Sequence, residues 1–484
     1  MRRCPLKPCQ VTKCLVFRFA FLPIALLVAA FCPAQADLSA QTRKQIDDIA
    51  SRVLAATGVP SVSLAVVKDD QIAYLHAYGD ARLDPRVAAK PEMRYSVGSI
   101  SKQFTATAIL MLAEEGKLSL DDPVSRFLPT LTRSNQVTIR QLLSHTSGYQ
   151  DYWPQDYVPP FMLQAVTADK ILDLWARKPL DFDPGTQWQY SNTNFVIAGL
   201  IVEKASGTPL LDFLRTRIFT PLHMQSVMNI DQERLGETDT KGYLRYALGP
   251  PRVAPKEGKG WLFAAGELAM PAEDLAKWDI AMLRQSLLQS ASYRAMQTEV
   301  VLKSGLGTEY GLGIGVKKIS GHRELEHSGE VSGFTAENIV LPDEHAAVVV
   351  LVNEDSSDAA NDIGKQIANL ILLSNDAATA QELQRARDVF TDLQRGKINR
   401  RIFTDNANSY FTDLALGDFA ASLGPLGTPV EFTQTEHEER GGMVFRRYSV
   451  KFSHQVLDIW MRTMPDAKIE QYQIMAKDPL ATAD

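Results

Sequence analysis

Three short segments, Ser99-Ile-Ser-Lys102, Tyr190-Ser-Asn192 and His327-Ser-Gly329, carry in that order the residue types of a serine nucleophile served by a lysine. A hydroxyl attacks a carbonyl only if a neighbour takes its proton, and an amine one helical turn away does so once desolvation brings it near neutral pH. After Ser99, the residues Phe104, Ile109, Leu110 and Leu112 lie among strong helix formers and Gly116 closes the run. The pattern predicts Ser99 at the N-terminal end of a buried helix, where free N–H groups and the positive end of the dipole favour an alkoxide or an oxyanion. A capping serine followed by a solvated lysine reads the same way in isolation, so the order and setting of all three segments carry the argument.

The elements that must position these residues come from both ends of a large unit. An amphipathic helix over Ile46–Leu54 precedes strand-like runs at Ser61–Val67 and Gln71–Tyr78, separated by a Lys68-Asp69-Asp70 turn. The middle, roughly 100–300, is helical and loop-rich, with breaks such as Asp183-Pro-Gly-Thr186. Strand-like runs return at 311–316, 324–327, 334–341 and 346–353, and Ile363–Leu373 reads as a closing helix. One antiparallel sheet assembled from both ends, carrying a helical lobe, is the expected α+β architecture.

The first 36 residues hold Arg2, Arg3, Lys7, Lys13 and Arg18 with no acid, an apolar run Phe19–Phe31 and a small-residue site Ala34-Gln-Ala36. They read as a secretory signal peptide, which predicts a periplasmic or secreted protein without stable membrane insertion after cleavage. All four cysteines, Cys4, Cys9, Cys14 and Cys32, lie in this leader, so the mature chain is expected to fold without disulfides. Lipidation at Cys32 is the competing reading, opposed by bulky Phe31 before it. Removing the leader's five cations takes the formal charge from −6 to −11, which argues against nucleic acid or an anionic membrane as partner.

A small polar stretch at 374–380 reads as a linker between a unit at 37–373 and a second one at 381–484. The second shows a helical face at Leu383, Ala386, Phe390 and Leu393, a shorter helix near Ala415–Leu423, and four strand-like runs between Val430 and Ile474. That order predicts a small α+β domain, with a weak resemblance to cystatin-like or NTF2-like domains.

Residues 38–373 resemble the serine β-lactamase and penicillin-binding-protein superfamily, in the branch of class C β-lactamases, DD-peptidases, D-aminopeptidases and family VIII esterases. Besides the three motifs, the resemblance rests on Leu142-Leu-Ser-His145-Thr-Ser-Gly148, on the segment Ala264–Leu275 and on Tyr310-Gly-Leu-Gly-Ile-Gly315. It implies the β-lactamase/transpeptidase fold and an acyl-enzyme on Ser99, with Lys102 and Tyr190 sharing the proton transfers. An adjacent ammonium is expected to bring the Tyr190 phenol towards working pH. Asn192, His327, Ser328 and Gly329 are implied as substrate-binding residues, and the backbone N–H groups of Ser99 and Glu330 as the oxyanion hole.

His327 departs from the Lys-Thr-Gly of typical β-lactamases, and a histidine offers a substrate carboxylate no fixed charge. The class A Ser-Asp-Asn is absent from the expected setting. His145 reads as part of a structural turn, while Tyr149, Tyr152 and Trp153 suit a pocket wall and core packing equally. No His-Glu-x-x-His or Cys/His spacing occurs, so neither metal nor cofactor is expected. The expected function is an exported serine hydrolase cleaving an amide or ester of a small molecule or peptide, as a DD-peptidase, D-aminopeptidase or esterase. A β-lactamase and a catalytically silent penicillin-binding or sensor protein are the alternatives.

Overall fold

The computed structural model describes residues 38–155, 157–375 and 377–476, so the expected leader with its four cysteines lies outside the described residues. Helix α1 (Ala40–Thr57) leads into strands β1 (Ser61–Lys68), β2 (Gln71–Leu83) and β3 (Arg86–Ala88). Asp69 and Asp70, at positive φ, make the turn between the first two strands. After the helical middle come β4 (Gly315–Ile319), β5 (His322–Val331), β6 (Phe334–Leu341) and β7 (Ala346–Val352). The seven strands form one antiparallel sheet in the order β3-β2-β1-β7-β6-β5-β4, which joins the two ends of the chain by pairing β1 with β7.

Both faces of this sheet are covered, and for that reason β7 is apolar at every position rather than at alternate ones. Val348, Val350 and Val352 face one core with Ile46 and Ile363, from α1 and from the closing helix α5 (Ala359–Asn375). Ala347, Val349 and Leu351 face the second core, which the middle of the chain builds. There, α2 (Ser101–Glu114) is buried on nearly all sides. Its neighbours are α3 (Asn192–Ser206) and α4 (Ala272–Arg284), and Gly116 at positive φ follows its end.

Beyond α5 the chain continues through α6 (Ala377–Gln394) and α7 (Asp413–Leu423) into a separate antiparallel sheet. Its strands β8 (Glu431–Arg440), β9 (Met443–Lys451), β10 (Val456–Thr463) and β11 (Ile469–Ala476) pair in sequence order. Ala386, Phe390 and Leu393 of α6 pack with Phe432, Tyr448 and Ile459 in a core of their own. Over 374–380, read from the sequence as a linker, the backbone is helical on both sides of Asp376, in keeping with the helix propensity of Ala377, Ala378 and Ala380. Among the described residues no helix is long and apolar enough to cross a membrane.

What matters for chemistry is where β5 loses its outer partner. Pairing with β4 ends at Glu326, while pairing with β6 continues to Val331, so residues 327–331 present an edge to the turn that carries Ser99. Two glycines allow that approach. A Cβ on Gly329 would stand 2.0 Å from the Val97 carbonyl oxygen, and one on Gly98, at φ +49°, would stand 2.7 Å from the Glu330 nitrogen. Backbone cannot yield as a flexible side chain does, so Gly329→Ala is expected to destabilise the fold by about 1–3 kcal/mol. Urea denaturation measures this, and an unchanged midpoint would mean that the strand and the turn separate freely.

Candidate active site

Ser99 lies in a single 3₁₀ turn, Gly98–Ile100, which runs directly into α2, and this places Lys102 one turn further along the same side. The Lys102 ammonium is fully buried and makes three hydrogen bonds of 2.8 Å each, to Ser99 Oγ, to Asn192 Oδ1 and to the Ala265 carbonyl. It also sits 4.9 Å from the centroid of the Tyr190 ring. Burial pushes its pKa down to about 7, against the opposing pull of Asp151. A lysine so poised exchanges a proton near neutral pH, which a solvated lysine does not.

Tyr190 stands just before α3, and its phenol hydrogen-bonds to the Ser99 side chain. Burial holds that phenol above its ordinary pKa, the reverse of the shift expected from a neighbouring ammonium. Desolvation of the phenolate, with the Asp151 charge adding to it, outweighs the opposing hydrogen bond with Ser99. Tyr190 therefore stays a proton-bearing hydroxyl.

The segment 189–191 is pinned from the other side by His145, which is fully buried and at positive φ. Its carbonyl accepts the Gln189 N–H and its Nδ1 accepts the Ser191 N–H at 3.1 Å. Its ring lies 4.3 Å from that of Tyr190. Burial drives its pKa well down, so it is a neutral packing group.

On β5, His327 is buried with both ring nitrogens engaged inside the protein. Nδ1–H donates to the Ser328 carbonyl at 2.6 Å and Nε2 accepts from the Tyr310 hydroxyl at 2.8 Å, the tautomer being assigned from these partners. Burial and the nearby Lys102 charge push its pKa down to about 4. Ser328 and Glu330 are exposed and Gly329 is buried against the Val97 carbonyl. All eight residues singled out from the sequence thus meet in one place, with Ser99, Tyr190, Asn192, His327, Ser328 and Glu330 lining a cavity of about 820 Å³. Tyr152, Trp153, Tyr157, Trp188 and Tyr246 supply much of its wall.

Two partners escaped the sequence reading. Tyr310, read only as scaffold, holds the His327 ring. Asp151 holds the backbone and side-chain N–H groups of Asn192, 41 residues away in sequence. Asp151 belongs to an irregular loop, where no periodicity marks which side chain turns inward, and only its position three residues after Gly148 hinted at it.

Similarity to known proteins runs through the same residues. The Beta-lactamase family model matches residues 46–371. Penicillin-binding protein 4* of Bacillus subtilis is 29% identical over 59% of this chain, and D-aminopeptidase of Brucella anthropi is 28% identical over 65% of it. These matches span 66% and 59% of the relatives' own lengths, less than two thirds of either. A D-stereospecific amidohydrolase from Streptomyces sp. superposes with a TM-score of 0.57 at 28% identity, over 69% of this chain and 98% of that one. For fold alone, an octameric penicillin-binding protein homologue from Pyrococcus abyssi has a TM-score of 0.60 at 20% identity, covering 90% of this chain and 100% of that one. With the matched region reaching from α1 to α5 and enclosing every residue of the three motifs that meet at the cavity, the chain belongs to the beta-lactamase family.

Proposed function

We propose that this protein is an exported serine hydrolase that forms an acyl-enzyme on Ser99 and cleaves amides or esters of uncharged acyl groups. The observation that carries this reading is the buried Lys102 amine, 2.8 Å from Ser99 Oγ with its pKa brought down to about 7. Neutral Lys102 takes the hydroxyl proton as Ser99 Oγ bonds to the substrate carbonyl carbon. The oxyanion lies between the backbone N–H groups of Ser99 and Glu330. Lys102 then returns the proton through the Tyr190 hydroxyl to the departing amine or alcohol as the carbon–heteroatom bond breaks. Water releases the acyl group by the same route in reverse.

The charges among the described residues that line the cavity support the choice of substrate class. His327 stays neutral above about pH 4, and its nitrogens are both occupied. Arg245, also in the lining, spends its guanidinium on Glu354 at 2.7 Å and on the Gly58 carbonyl. With His327 neutral, Arg245 committed and aromatic rings on the wall, an uncharged acyl group fits better than a carboxylate-bearing one. The names of the Brucella and Streptomyces relatives point to amino-acid amides or peptides of D configuration as the first substrates to try. Export rests on the leader pattern of residues 1–36.

Intact mass spectrometry with p-nitrophenyl esters, D-amino-acid amides and penicillins tests the reading, because it separates acylation from turnover. A fast-turning ester or amide adduct at Ser99 is expected, and a chain that no member of the panel acylates would overturn it. Penicillin hydrolysis is expected to be poor by comparison, and His327→Lys to improve carboxylate-bearing substrates selectively. Between pH 5 and 8 the natural chain should show no histidine limb, since His327 titrates near 4. Efficient penicillin turnover by the natural chain would show that His327 does not set the substrate class.

A further inference from the structure

Asp151 lies outside the three motifs, yet its half-buried carboxylate is built into the lysine's surroundings. Oδ1 accepts the Asn192 backbone N–H at 2.8 Å and the Trp153 N–H at 3.2 Å, and Oδ2 accepts Asn192 Nδ2 at 3.3 Å. An ionised carboxylate only accepts, so the amide of Asn192 has one satisfied orientation. Its NH₂ turns to Asp151, and its oxygen turns to the Lys102 ammonium at 2.8 Å. That amide oxygen, the Ala265 carbonyl and Ser99 Oγ are the three acceptors that hold the ammonium. A carboxylate that merely capped α3 would need only the backbone N–H bond. The second bond, to the side chain, reaches the catalytic lysine.

We propose that Asp151 is a positioning residue, which locks the Asn192 amide with its oxygen towards Lys102 and so aims the lysine at Ser99. This rests on the reading of Lys102 as the base for Ser99. Asp151 is also the anion that Lys102 faces. The other titratable groups around the lysine are Tyr190, a protonated phenol, and His145 and His327, both neutral by burial. Asp151 therefore supports the ammonium against the full cost of its burial, and without that charge Lys102 would titrate lower still.

The test follows Lys102 itself, by the ¹³Cε shift of lysine-labelled protein titrated from pH 5 to 10, alongside the rate at which a fluorophosphonate labels Ser99. In Asp151→Asn the Lys102 midpoint is expected to fall by about one pH unit, and the plateau labelling rate by ~10-fold. The double variant Asp151→Asn/Asn192→Ala should label no more slowly than Asn192→Ala, because the first residue acts through the second. An unmoved midpoint, or additive losses, overturns the assignment. Should Asp151→Asn prove unfolded, Asp151→Glu serves in its place: it keeps the charge on a longer arm, so the midpoint should hold while the plateau rate drops, and a plateau rate equal to that of the natural chain overturns the assignment. The titration does not depend on turnover. A natural chain that leaves Ser99 unlabelled, but whose Lys102 midpoint falls in Asp151→Asn, would overturn the hydrolase reading and, with it, the aiming of Lys102 at Ser99, leaving Asp151 only as the charge that Lys102 faces.

Discussion

Ser99→Ala should lower kcat/KM on the best ester or amide by ~10⁴-fold or more with the melting curve unchanged, because it removes the covalent step and not a packing contact. Ser99 is half-buried at the cavity, and the hydrogen bonds of its hydroxyl are to Lys102 and Tyr190. After its removal, the lysine still has Asn192 Oδ1 and the Ala265 carbonyl to satisfy it. A fluorophosphonate should label the natural chain at Ser99 and leave the variant unmarked. Ser147 is the instructive control, since it lies two residues after His145 in a serine-bearing segment, but it is fully buried and its hydroxyl donates to Asn194 Oδ1 at 2.5 Å. Label mapped to Ser147, or near-normal turnover by the folded Ser99→Ala variant, would remove Ser99 from the mechanism.

The second large effect is expected from Lys102→Ala and Tyr190→Phe taken as a cycle. Each alone should cost ~10³-fold or more, and the pair little beyond the worse single variant, because both handle one proton. Additive losses would mean that the two do not share a path. The pH profile of the natural chain supplies the sign. Below its pKa of about 7 the lysine carries the proton that it must accept, so kcat/KM should rise with pH through about 7 and then level. Tyr190, held above its ordinary value, should add no limb below pH 10. In Lys102→Ala the limb at about 7 should disappear, whereas a limb that survives would have to belong to another group.

The two ends of the chain that build the sheet were legible in the sequence because burial on one or both faces leaves a periodic record. Ala346–Val352 is apolar throughout, since both faces of β7 are covered, and Leu383, Ala386, Phe390 and Leu393 recur at helical spacing on α6 because only one side meets a core. The contact between Ser99 and Lys102 was legible for a related reason: it is local, one turn of one helix, so residue type and spacing suffice. The exact limits of strands were less so, as β5 extends from His322 to Val331 through Ser328, Gly329 and Glu330, which strand propensity alone does not select.

Only the tertiary structure decided the protonation of the site. From the sequence, a lysine beside a tyrosine suggested a phenol drawn towards neutral pH. The folded protein encloses both, and since desolvation acts on whichever form is charged, it lowers the lysine and raises the phenol, which supports the proposed assignment of the base to Lys102. His327 likewise could be neutral or charged as a residue type, and it is neutral because burial disfavours its charged form and the Lys102 charge stands nearby, while Tyr310, 17 residues away, and the Ser328 carbonyl take its two nitrogens. Asp151 was silent for the same reason. Residue order determines which groups are present and which of them are neighbours along one helix, whereas the energy of a charge depends on the dielectric and dipoles around it, and these come from segments that only folding brings together.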